Sequence, residues 1–183
     1  MAAAVVRPGA FMVLELKAPH DPTPTSLAKM WPTFFAYVLS FIIIAIYWVN
    51  HHHLIHLVTR VDSVILWANI NQLFWISLIP WVTVYLGDNH ALPFPVALYA
   101  AVSTACAISF FLLRASIARH HHEPEFERLN QKMARKNLIA IFIYVAAIAA
   151  AFIYTPLALV IMALPAAMYF LPERGVGKFE QQT

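Results

Sequence analysis

The sequence predicts an all-α protein, a polytopic transmembrane helical bundle, and three observations predict it. Of 183 residues, 61% are hydrophobic and 11% charged, with a mean hydropathy of +0.68. Soluble domains carry about 25% charged residues, so this chain holds more apolar surface than one soluble core of its size can hide. The apolar residues gather into runs of about 20, the length that crosses a hydrocarbon core of about 30 Å at about 1.5 Å per residue. The basic residues cluster in one loop and a tail, which is a topology signal rather than a nucleic-acid footprint.

Five spans follow in order within a single transmembrane domain, residues 1–183. The first runs from about Thr33 to Val58, and its Phe34–Val49 stretch carries no charge. The second runs from about Ser63 to Leu86 and the third from about Phe94 to Ile117. A polar, partly helical connector, 118–136, leads to the fourth, from about Asn137 to Tyr154. The fifth runs from about Leu157 to Leu171, is short, and carries Pro165. Thr155-Pro156 places a tight turn before it, because proline lacks an N–H and disfavours helix in the residue it follows. The spans are apolar nearly all round, as expected where lipid covers one face and other helices cover the rest. Trp31, Trp48, Trp67, Trp81, Tyr85, Tyr154 and Tyr169 stand mostly toward span ends, where amphipathic rings anchor a protein at the interface.

Alternating the spans across the bilayer sorts the twelve basic residues. Arg60, Arg114, Arg119, Arg128, Lys132, Arg135, Lys136, Arg174 and Lys178 fall on one side; Arg7, Lys17 and Lys29 fall on the other. The positive-inside rule makes the first side cytoplasmic. The segment before the first span is then outside, so a further crossing is expected ahead of it. The only apolar stretch there, residues 5–16, reaches about 18 Å and contains Pro8-Gly9, so a shortened first helix is expected.

No phosphate-binding glycine loop, HExxH or nucleophile elbow is present, so neither an enzyme nor a cofactor is expected. The lone Cys106 sits in an apolar run and excludes a disulfide framework. No Asp, Glu, Lys or Arg lies deep inside a span, which disfavours proton pumps, voltage sensors and many coupled transporters. An ion pore needs no such charge, because an apolar ring can gate by dewetting. The polar residues that remain stand out. His51-His52-His53 and His56 close the first span; His52 and His56 share a stripe with Trp48. Interhelical hydrogen bonding is the favoured role there. A His52/His56 metal site is the alternative, since two imidazoles at this spacing can chelate with ligands from elsewhere. His120-His121-His122 with Glu123 reads as solvated loop. Asn69 and Gln72 lie on one face of the second span and should point at other helices, because amides in hydrocarbon are costly unless paired.

Several stretches carry a resemblance: FMVLELKAP (Phe11–Pro19), SFIIIAIYWVNHHHLIH (Ser40–His56), RVDSVILWANINQLFWISLIPW (Arg60–Trp81) and YFLPER (Tyr169–Arg174). On these the chain resembles prokaryotic members of the transmembrane protein 175 family of potassium channels. The resemblance implies six helices per subunit, four subunits around a central pore in a prokaryotic plasma membrane, and K⁺ as the permeant ion. It implies that the first helix lines the pore, opening on Arg-x-x-x-Phe-Ser-Asp. Here Arg7 and Phe11 keep the spacing, but Met12-Val13 replaces Ser-Asp. Aligned instead on its outer end, the same stretch matches Phe11 and Leu14 to pore-lining positions, and Trp48, His52 and Asn69 to the polar and aromatic brace of the motif. The implied fold is thus five full spans plus a shortened first helix, with conduction impaired. A His-cluster transporter or metal-handling protein, and a non-conducting structural remnant, are the other readings.

Overall fold

The structure, a computed structural model, describes residues 23–56, 58, 61–89, 92–120 and 124–170. The expected N-terminal stub, with Phe11 and Leu14, lies outside the described residues. Those described form seven helices: α1 (Pro24–Lys29), α2 (Trp31–His56), α3 (Ser63–Ser77), α4 (Ile79–Asp88), α5 (Pro93–Ala118), α6 (Pro124–Ile153) and α7 (Thr155–Phe170).

Local chemistry explains the boundaries. Thr23 opens α1, its Oγ1 accepting from the Ser26 N–H at 3.3 Å. Asp62 caps α3 from an extended backbone, accepting from the Ile65 N–H at 2.7 Å. Prolines start α5 and α6, where a missing N–H is harmless because first-turn donors have no intrahelical partner. The second expected span is two helices rather than one. Pro80 cannot donate to the Ile76 carbonyl, and the ladder breaks at Leu78 before Val82 N–H resumes it on Leu78 O at 3.1 Å. In the opposite sense, α6 starts at Pro124 instead of near Asn137. The connector is rich in Glu, Arg, Lys, Gln, Met and Ala, and no breaker separates it from the span, so one helix runs through both.

Four stretches are long and apolar enough to cross a membrane: Ala36–His56, Ser63–Asp88, Pro93–Ala118 and Phe126–Ile153. The fifth expected span, α7, has 16 residues and rises about 24 Å, short of a core of about 30 Å. The chain is a multi-pass helical membrane protein.

α5 is the centre of the bundle. It packs on α3, α4, α6 and α7, and most of its side chains are buried, whereas few are along Ser63–Asp88. Its buried side chains Val96, Tyr99, Ser103, Cys106, Phe110, Leu113 and Ile117 repeat at alternating steps of three and four. α6 answers with Asn137, Ala140, Tyr144, Ala147 and Ala151 at the same spacing. Lipid is as apolar as leucine, so burial alone does not drive helices together in a membrane; close contact and hydrogen bonds do. The alanines of α6, with Ala158 and Ala166 of α7, provide the close contact.

Candidate functional site

Polar links tie the helices together. Ser40 stands alone in the apolar run of α2 and is fully buried. Its Oγ lies 2.5 Å from Thr83 Oγ1 of α4 and 2.7 Å from the Tyr99 hydroxyl of α5. Thr83 donates its proton to the Ile79 carbonyl at 2.6 Å. Ser40 therefore donates to Thr83, and Tyr99 donates to Ser40. Each hydroxyl has one proton, so only this direction satisfies all three.

Gln72 of α3 is fully buried against Ser109 of α5, with 2.5 Å between Oε1 and Oγ. Ser109 also reaches the Cys106 carbonyl at 3.0 Å, and it cannot donate to both. Turning the Gln72 amide over ends the competition and leaves Oε1, in place of Nε2, without a partner. Its Nε2, otherwise without a hydrogen-bond partner, then donates to Ser109, and the hydroxyl proton goes to Cys106. Asn137 of α6 donates from Nδ2 to the Ala107 carbonyl of α5 at 2.9 Å. Beside it a cavity of about 20 Å³, lined by Tyr47, Asn50, Asn137 and Tyr144, is large enough for one water.

The end of the bundle that carries the histidines holds the residues picked out from sequence. The Trp48 and His52 rings stack at 5.4 Å, and the His52 and His56 rings meet edge to face at 4.5 Å. All three side chains are exposed, forming a column along α2. Asn69 does not join that column. Its Oδ1 lies 2.6 Å from Nε2 of His51, the neighbouring imidazole, which points from α2 toward α3. One residue along a helix turns a side chain by about 100°, so His51 and His52 serve different faces. Among the described residues no three His, Cys, Asp or Glu side chains gather as a metal site would require.

Sequence reasoning missed Ser40, Thr83, Tyr99 and Ser109. A lone hydroxyl in an apolar run was the available signal, but its partners come from helices remote in sequence. Arg114 was placed only by its position near a span end. It is buried within α5, with its guanidinium 4.9 Å from the centre of the Phe110 ring.

The comparisons narrow the class from multi-pass membrane protein to a family. Residues 9–80 match the model of the family described as "Endosomal/lysosomal potassium channel TMEM175". A potassium channel of Chryseobacterium sp. (strain P1-3) is 39% identical over 169 residues, covering 91% of this chain and 87% of that protein. A potassium channel of Streptomyces collinus is 34% identical over 119 residues, covering 61% of this chain and 58% of that protein. In fold, the crystal structure of a lysosomal potassium-selective channel TMEM175 homolog from Chamaesiphon minutus superposes with a TM-score of 0.83. That match covers 93% of this chain and 92% of the other at 24% identity. The chain belongs to the TMEM175 family of potassium channels.

Proposed function

We propose that this chain is a subunit of a potassium channel in a prokaryotic plasma membrane, conducting K⁺ passively through a central pore built by four copies. The observation that carries this is the 39% identity to a bacterial potassium channel across 91% of the chain. Two features support it. Apart from Arg114 near the end of α5, the buried polar side chains of the described spans are hydroxyls and amides, and several of them pair between helices, as passive conduction allows. The outer faces of α2 and α3 are apolar and uncovered: Phe34, Phe41, Trp67, Ile70 and Phe74 are each at least 45% exposed. Neighbouring copies and lipid share these faces. In this reading Phe11 and Leu14 line the pore. The Trp48–His52 column braces the pore-lining segment, while Asn69, held by His51, fixes α3 in register beside it.

The test is K⁺ flux from liposomes reconstituted with the 183-residue chain. A K⁺-dependent membrane potential above that of protein-free liposomes is expected, together with a four-copy mass by native mass spectrometry. His52→Ala and Trp48→Ala should reduce flux while leaving the helical circular dichroism unchanged. Absence of K⁺ flux from correctly inserted protein refutes the reading.

A further inference from the structure

Between α3 and α5, at the end of the bundle where α3 begins and α5 finishes, lies an open cleft of about 720 Å³. Small ligands occupy clefts of about 300–1,000 Å³. Trp67, Ala68 and Asn71 form one wall, Leu112 and Ala115 the other, and Arg119 stands at the rim. The spacing explains the shape. Ala68 and Ala115 carry small side chains where the two helices would otherwise fill the gap.

The cleft is apolar inside and carries a cation, Arg119, at its mouth. Arg119 is exposed there, and the first N–H groups of α3 at Ser63 and Val64 add the positive end of a helix dipole. The Asp62 carboxylate stands near and keeps its charge, which Arg119 partly offsets, while both of its oxygens are taken by other donors. Asp62 Oδ1 accepts from the Ile65 N–H at 2.7 Å, and Oδ2 meets His120 Nε2 at 3.0 Å. Deeper, Asn71 puts an amide on the cleft wall about 12 Å along α3 from its start. An amide facing plain hydrocarbon is costly, so the occupant should carry an acceptor at that depth. Trp67, at 69% exposure, marks the interface level.

An anionic phospholipid has this order of chemistry: a phosphodiester for Arg119, ester carbonyls for Asn71, and an acyl chain for the apolar walls. We infer that the α3–α5 cleft is a binding site for one anionic phospholipid of the cytoplasmic leaflet. Basic pockets between transmembrane helices on the cytoplasmic side are where such headgroups are held. The inference rests on the orientation set by the basic residues and goes beyond K⁺ conduction: protein that passes no K⁺ can still hold the lipid.

The test uses the full chain in mild detergent. Its thermal midpoint is measured with added phosphatidylglycerol, phosphatidylcholine or inorganic phosphate. Phosphatidylglycerol at a few times its dissociation constant should raise the midpoint by about 2–4 °C more than phosphatidylcholine does. Inorganic phosphate should have no effect. Arg119→Gln should abolish the difference between the two lipids, and Ala115→Phe, which fills the cleft, should abolish it separately. Equal shifts for both lipids overturn the inference, as does an undiminished preference in Arg119→Gln. A shift with phosphate alone makes this a headgroup-only site and overturns it too. So does a loss of oligomer mass in Ala115→Phe, which would mean that a neighbouring copy fills the cleft.

Discussion

Ser40→Ala is the sharpest probe of the polar links, because one atom joins three helices. The substitution removes the acceptor of the Tyr99 hydroxyl and the donor to Thr83 Oγ1. Thr83 keeps its bond to the Ile79 carbonyl and is not orphaned. Tyr99 has no exposed surface, so its hydroxyl cannot turn to water. A buried donor left unsatisfied costs about 1–3 kcal/mol, while interhelical bonds in membranes average about 0.6 and reach about 1.7 kcal/mol. The structure places Ser40 near the upper membrane figure, at about 1.5 kcal/mol, since two bonds go and one group is stranded. That moves the unfolding equilibrium roughly tenfold. Tyr99→Phe removes only the outermost donor and leaves Ser40 bonded to Thr83, so about 0.5 kcal/mol is expected. The double variant should cost less than the sum, because the stranded hydroxyl is gone. Dodecyl-sulfate-titrated unfolding followed by circular dichroism measures all four proteins. The reasoning fails if Ser40→Ala lies within about 0.3 kcal/mol of wild type, or if the two substitutions add within that margin.

Two other perturbations test different forces. The Asp62 carboxyl is held below the ordinary carboxylate range, first by the Ile65 N–H and then by the His120 ring. The fold therefore favours its charged form. That contribution is complete above the ordinary value of about pH 4 and is lost as pH falls through the lowered one. Asp62→Asn keeps a capping oxygen without the titration, so melts between pH 7 and pH 3 should show a smaller acid loss than wild type; an equal loss removes Asp62 as the cause. Ala147 is fully buried on α6, and Ala147→Leu should cost about 1–3 kcal/mol by overpacking. Ala146→Leu, one residue away on the exposed side, should be near neutral, and equal effects of the two would refute the close-packed stripe.

The structural class was legible in the sequence because it depends on sums. A chain that is 61% hydrophobic has only one solvent that suits it, and span lengths follow from the thickness of that solvent. The break before α7, the fifth expected span, was legible as well, because Pro156 acts on its own backbone. Pro80 acts in the same way, but its effect was hidden inside an unbroken apolar run. The joining of the connector to α6 was hidden because polarity changes there while helix propensity does not.

Pairing was not legible. The sequence alone determined that Asn69 and Gln72 needed partners in an apolar span. Only the tertiary structure decided that Asn69 meets His51 rather than His52 and that Gln72 meets Ser109. Need for a partner is a property of one residue and its solvent. The identity of the partner depends on helix rotation and crossing, which are set by small residues such as Ala147 and Ala151 along interfaces remote in sequence. The same geometry leaves the α3–α5 cleft open, although no residue in it is unusual alone.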